Sequence, residues 1–201
     1  MNIIRPNKRS IAREIDYRKS REYVLAVRDI VTEQFLMFKN QLIENFDKHK
    51  ITREIEMGPK GQNISGTLGG RGNLFSFIGF ESNEKPTEII RSEFQKIFLG
   101  AVNVKKDGTS ISFVQYPQPE EIFSITPLPW ASGRSWAKGI ESGLSGLGFY
   151  LNIKTQESRS GEGIQRSEQI RSAKYQNTPY ISALIREFEK NIISLNKIRI
   201  R

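Results

Sequence analysis

Residues 20–48 read SREYVLAVRDIVTEQFLMFKNQLIENFDK, and this stretch decides the fold. Val24, Val27, Val31, Phe35, Phe38, Leu42 and Phe46 recur at spacings of 3, 4, 4, 3, 4 and 4, with neither Pro nor Gly in the run. Side chains three and four residues apart share one face of an α-helix, so the spacing predicts a long amphipathic helix. Ser20 offers an N-cap, and Asp47, Lys48, His49 and Lys50 form a polar exit. Leu25, Leu36, Met37 and Ile43 add large apolar side chains beyond what one seam uses. They predict a helix with two buried faces, one against its own sheet and one against another subunit. His49, the single histidine of the chain, is expected to be a solvated residue at the helix end, where the helix dipole favours it.

Downstream, Ile51-Thr52-Arg53-Glu54-Ile55-Glu56-Met57 places Ile51, Ile55 and Met57 on one side at period two and reads as a strand. Seven of the sixteen glycines then fall between residues 58 and 79. The frame fits neither a Walker-type loop nor a dinucleotide fingerprint, because Gly72 leads into Asn-Leu-Phe-Ser-Phe-Ile-Gly-Phe. We expect a glycine turn that lets backbones pack closely and leads into an aromatic strand. Pro86 opens a short helix through Ile89, Ile90, Phe94, Ile97 and Phe98 that stops at Gly100. Asp107-Gly108, between Val102-Asn103-Val104 and Ile111-Ser112-Phe113-Val114, signals a hairpin. Glu121 to Thr126 reads as a further strand bounded by prolines 117, 119, 127 and 129. Thr178-Pro179 caps a last helix with Ile181, Leu184, Ile185, Phe188, Ile192 and Leu195 at helical spacing.

Both tryptophans, Trp130 and Trp136, flank Arg134 in a glycine-rich stretch. Two aromatic rings and a guanidinium have the composition of a contact hot spot, and equally that of core anchors under a long loop. The expected organisation is therefore a basic arm over residues 1–20, a single α+β domain over 21–195, and a basic tail over 196–201. Long loops are expected at 58–73, 127–148 and 154–177. In the fold the long helix packs on a mostly antiparallel sheet, with a short middle helix and a C-terminal helix.

Composition excludes several chemistries. The 201 residues hold 31 Lys+Arg against 22 Asp+Glu, a formal charge of +9, and no cysteine. Without Cys there is no disulfide, thiolate metal site or cysteine nucleophile, and one histidine cannot build a multi-histidine centre. The four Asp residues are scattered, and Glu54/Glu56 and Glu120-Glu121 read as solvated edges. No catalytic, cofactor or metal residues are proposed, and the chain is not expected to be an enzyme. The mean hydropathy is −0.49. The longest strongly apolar stretch, Leu74 to Phe80, falls far short of the roughly 20 residues that cross a bilayer, and residues 1–9 form no signal-peptide core. No membrane partner is expected.

The order of elements resembles the neck and tail-completion proteins of tailed bacteriophages. Two echoes carry it. Gly58-Pro59 leading to Ser65-Gly66-Thr67-Leu68 is similar to a Pro-x-x-Thr-Gly-x-Leu turn of that family, and Thr178-Pro179-Tyr180 is similar to its terminal Thr-Pro-Phe element. The resemblance implies a virion structural protein, assembled in the host cytoplasm, that forms a homo-oligomeric ring, commonly of six or twelve copies, joining portal to tail. Its partners would be other neck, portal or tail proteins and DNA in the channel. On this reading Trp130, Arg134, Trp136, Leu68, Phe75 and Phe77 are the subunit-contact candidates. Arg5, Lys8, Arg9 and Arg13 are the candidates for facing channel DNA or an acidic partner. The competing expectation is a nucleic-acid-binding module that uses the same basic arm and the aromatic and basic loops.

Overall fold

The computed structural model describes residues 21–69, 72–105, 108–111, 113–129, 131–142 and 177–195. The arm 1–20, the tail 196–201, Trp130, and all of the loop 154–177 except Asn177 lie outside the described residues. The fold is α+β. In chain order it comprises α1 (Arg21–Lys48), α2 (Lys50–Glu56), a single 3-10 turn (Gly58–Lys60), α3 (Leu74–Ile78) and α4 (Pro86–Gln95). The strands β1 (Phe98–Leu99), β2 (Val102–Lys105), β3 (Gly108–Ile111) and β4 (Val114–Gln115) come next. Then come α5 (Pro119–Ser124), β5 (Pro127–Leu128), β6 (Ala131–Ser135), α6 (Trp136–Ser142) and α7 (Ile181–Leu195). The described residues divide into two compact units. One comprises 21–38, 98–115 and 190–195, the other 39–97 and 116–189.

In the first unit the predicted helix packs on an antiparallel hairpin. Val27 and Val31 of α1 are buried against Val102, with Tyr23, Leu99, Val104 and Ile111 completing the cluster. Arg28 Nε donates to the Val102 carbonyl at 3.1 Å, tying helix to strand. The β1/β4 and β2/β3 ladders share one register, from Phe98↔Gln115 to Lys105↔Gly108. Between them Gly100 N donates to Phe113 O at 2.9 Å. A Cβ at Gly100 would lie 2.7 Å from the Phe113 ring and 2.9 Å from its carbonyl oxygen, so this close approach requires glycine. The predicted hairpin is present, though Gly108 pairs with Lys105 as a strand residue.

The second unit is more helical than its sequence pattern indicates. Residues 51–57 are not a strand; Lys50–Glu56 is helical and buries Ile51 and Ile55, one turn apart. Spacings of four satisfy periods of two and 3.6 alike, and the deciding side chain is Met57, which is 42% exposed. The aromatic run 74–80 is also a helix, not a strand. Asn73 Oδ1 accepts from Ser76 N at 2.8 Å as its N-cap, and Gly79 closes it in the left-handed region at φ 89. These caps outweigh the strand preference of Leu-Phe-Ser-Phe-Ile in so short a run. Glu121–Thr126 is likewise not a strand. Pro119 starts α5 in its first turn, and Glu121 Oε2 accepts from Gln118 N at 2.8 Å, which satisfies an end donor of the helix.

α4 stops at Gln95, short of Gly100, and Phe98 enters β1. Lys39 Nζ donates to the carbonyls of Gln95 and Ile97 at 2.6 and 2.8 Å, supplying partners to the backbone at this helix end. The segment expected as loop 127–148 contains the β5/β6 pair and α6. α7 keeps its predicted apolar stripe, with Ile181, Leu184, Ile185, Phe188 and Leu195 buried. Glu141 of α6 accepts from Ser182 N and Ser182 Oγ at 2.7 and 2.6 Å, placing a carboxylate at the start of α7.

Trp136 is core. It opens α6 at 2% exposure, its ring meets Phe80 edge to face at 5.7 Å, and its backbone N donates to Thr126 O at 2.9 Å. Trp136→Ala is expected to lower unfolding free energy by about 3–5 kcal/mol in urea denaturation. A loss below about 1 kcal/mol would contradict this placement.

Candidate functional site

The most organised polar structure of the second unit is built on Glu54. This residue is fully buried on the inner face of α2, beside Ile51 and Ile55. Its Oε1 accepts from Asn63 Nδ2 and Leu74 N, both at 2.7 Å, and its Oε2 accepts from Ser65 N at 2.8 Å. Asn63 Oδ1 in turn accepts from Leu68 N at 3.2 Å, and Ser65 Oγ and Thr67 Oγ1 share a 2.9 Å bond. Asn73 Nδ2 donates back to the carbonyls of Pro59 and Gly61 at 2.8 and 3.0 Å. One carboxylate thus holds the glycine-containing loop and the start of α3 to α2. The expectation that Glu54 and Glu56 form a solvated edge is wrong for Glu54, because a helix, unlike a strand, turns position 54 toward the same side as 51 and 55.

Glu56 lies on a rim with Asp47, Thr87 and Arg91. Arg91 Nε donates to Asp47 Oδ1 at 2.9 Å, its Nη2 donates to Glu56 Oε1, and Thr87 Oγ1 also donates to Glu56 Oε1 at 2.9 Å. The guanidinium lies 5.8 Å from the centroid of the Phe46 ring. Burial acts to lower the Arg91 pKa, but the hydrogen bonds to Glu56 and Asp47 hold it above its ordinary value. Beside this rim an open groove of about 500 Å³ is bordered by Ile55, Met57, Phe75, Lys85 and Glu88. Lys85 pairs with Glu88 at 3.2 Å, so the cations of the groove are engaged by neighbouring carboxylates.

A third cluster joins α1, α2 and the entry to α7. Tyr180 is buried, stacks on Phe46 at 6.0 Å, and shares a 2.7 Å hydrogen bond between its OH and Thr52 Oγ1. Burial pushes the Tyr180 phenol far above its ordinary value. His49 packs against the same ring at 4.8 Å and is half-buried, not solvated as expected. Among the described residues no group of three or more His, Cys, Asp or Glu could hold a metal ion, and every buried side-chain N or O has a partner. Among them too, no helix is long and apolar enough to cross a membrane.

The contact candidates separate. Phe75 is buried against Phe80 at 5.4 Å and Trp136 is buried, so neither presents a surface for a neighbour. Leu68 and Phe77 are half-buried, and Arg134 is exposed on β6 beside Gly133. Trp130, Arg5, Lys8, Arg9 and Arg13 lie outside the described residues. The exposed apolar surface is elsewhere. Leu25, Ile30, Leu36, Met37, Phe98, Phe113 and Ile193 belong to the first unit, with exposures from 37% at Ile30 to 59% at Ile193, while Met57 and Ile89 are exposed on the second. Phe98 and Phe113 face each other edge to face at 5.7 Å. Charge separates as well. The described residues carry 15 Lys+Arg against 16 Asp+Glu, and the others carry 16 against 6. No family model, curated protein or solved structure matches this chain.

Removing the Glu54 carboxylate takes the acceptor from the Leu74 and Ser65 N–H groups and one acceptor from Asn63 Nδ2, so Glu54→Ala is expected to cost about 3–5 kcal/mol in urea unfolding. Glu54→Gln keeps one acceptor oxygen and is expected to cost about 1–3 kcal/mol less than that. Amide exchange at Ser65 and Leu74 should accelerate in both variants, and unchanged exchange would exclude the carboxylate as their anchor.

Proposed function

We propose that this protein is a structural assembly subunit, a virion component that forms a ring in the neck of a tailed bacteriophage and acts by association, not turnover. The observation that carries the reading is the exposed apolar set of the first unit. Seven large apolar side chains on α1, around the β1/β4 pair and on α7 share one small unit. Large apolar side chains left exposed in such number in one small unit are surface that an association would bury. Of the second set on this helix, Leu25, Leu36, Met37 and Ile43, expected to face another subunit, the first three are exposed and Ile43 is half-buried. The neck assignment rests on the long first helix, the hairpin and the Thr178-Pro179-Tyr180 entry to the last helix. The helical 50–56 and 74–78 segments take away two elements of the order that the resemblance uses.

In light scattering after size exclusion, the wild-type chain is expected to run as a discrete oligomer. Leu25→Glu combined with Met37→Glu should give a folded monomer, because both side chains are exposed within the subunit and their replacement leaves its core intact. A monomeric wild type would sink the assembly reading. For the neck itself, a phage with this gene disrupted should give filled heads beside complete, detached tails in electron micrographs.

The alternative, a nucleic-acid-binding module, is favoured by one observation: the basic excess lies wholly outside the charge-balanced described residues. On that reading, deleting residues 1–20 with Arg5, Lys8, Arg9 and Arg13 should abolish a steeply salt-dependent DNA affinity and leave the far-ultraviolet circular dichroism unchanged. Equal affinity of the deleted and full chains would exclude the arm as the binding element.

A further inference from the structure

The outer face of α1 combines exposed apolar side chains with carboxylates that no cation balances. Val27, Val31 and Phe35 mark the buried side of the helix. On the opposite side Glu22, Ala26, Asp29 and Glu33 follow one another at spacings of 4, 3 and 4, and all four are exposed. At 3.6 residues per turn, Ile30 and Met37 lie along one flank of this line, and Leu25 and Leu36 along the other. Their exposures run from 37% at Ile30 to 50% at Met37. The face therefore presents two apolar flanks with three carboxylates between them.

Among the described residues no Lys, Arg or His pairs with any of the three. Arg28, on the same helix, donates to the Val102 carbonyl instead. Asp29 and Glu33 are moreover a like-charge pair four residues apart, an arrangement that destabilises a helix until cations reach it from outside. The charge also decides what can cover the face. The same face of a second copy would set carboxylates against carboxylates, and nucleic acid or an anionic lipid surface would be repelled as well. A segment that carries cations and apolar side chains together fits it.

Residues 1–20 have that composition. They hold six Lys+Arg against Glu14 and Asp16. Arg9 and Arg13 stand four apart, as Asp29 and Glu33 do, and Ile11 and Ile15 supply apolar side chains at the same spacing. Neither Gly nor Pro occurs between Pro6 and Gly58, so the joint between arm and helix has no turn former on which the arm could double back over its own α1. We propose that the outer face of α1 receives the basic arm, residues 1–20, of a second copy of this chain. The proposal rests on the assembly role argued above and names its contact. Arm and face are different surfaces, so the contact is heterologous and repeats from copy to copy, as a ring requires.

Sedimentation equilibrium of the full-length chain tests the docking. Asp29→Lys with Glu33→Lys gives a basic face to a basic arm, and Arg9→Glu with Arg13→Glu gives an acidic arm to an acidic face. Each variant is expected to self-associate about tenfold or more weakly than wild type. An equimolar mixture of the two restores opposite charges at every contact between unlike copies and should recover association near the wild-type level. An arm bound to its own helix would not respond to mixing. Wild-type association should also weaken between about 0.1 and about 1 M NaCl, where the screening length falls from about 10 to about 3 Å, a readout that needs no variant to fold. Association unchanged by either pair of substitutions or by salt, or a mixture that stays dissociated, overturns the docking and leaves the assembly reading standing. A monomeric wild type overturns both.

Discussion

The second unit depends on a buried charge without an ion-pair partner. Among the described residues no Lys, Arg or His pairs with Glu54; two backbone N–H groups and one side-chain amide solvate it instead. A carboxylate removed from water costs several kcal/mol unless its lone pairs are filled, so α2, the loop 61–69 and α3 have to be formed together. The Leu74 N–H is one of the end donors of α3, which a five-residue helix cannot satisfy internally. The carboxylate and the short helix thus each supply what the other lacks. Asn73 extends the arrangement by capping α3 with its oxygen and holding the Pro59 and Gly61 carbonyls with its nitrogen.

The parts of the fold that could be read in the amino-acid order are those where one period acts over many residues. α1 and α7 have several turns of apolar side chains at spacings of three and four, and the hairpin has alternation on both sides of Asp107-Gly108. The segments 50–56, 74–78 and 119–124 are too short for periodicity to separate helix from strand. Their outcome depends on capping by His49, Asn73 and Gly79, and Pro119 with Glu121. Glu54 was illegible for a related reason. Its place on the inner face exists only if α2 is helical, and its partners at 63, 65 and 74 are brought to it by the tertiary fold. The tryptophan stretch left core and contact readings open, and packing against Phe80 places Trp136 in the core.

Apolar surface and charge are unevenly distributed over the chain. The second unit buries its large aromatic side chains at Phe46, Phe75, Phe94, Trp136, Tyr180 and Phe188. The first unit has a smaller core around Val27, Val31 and Val102, and it leaves apolar groups on both flanks of α1 in water. The basic excess has the same division. Clustered positive charge opposes compaction, and the described residues, with 15 Lys+Arg against 16 Asp+Glu, carry no such excess.

The break between α1 and α2 shows how little chemistry is needed to redirect a helix. A continuous helix through residue 49 would keep the backbone ladder unbroken. The turn at His49 gives up that register, and in exchange the ring caps the next helix and packs on Tyr180. Alanine at this position has none of these contacts and a high helix propensity, so it favours the uninterrupted helix. The turn that opens α2, and with it the placement of Glu54, is capped by this imidazole. The cap asks for an acceptor at this position, which the unprotonated Nδ1 supplies.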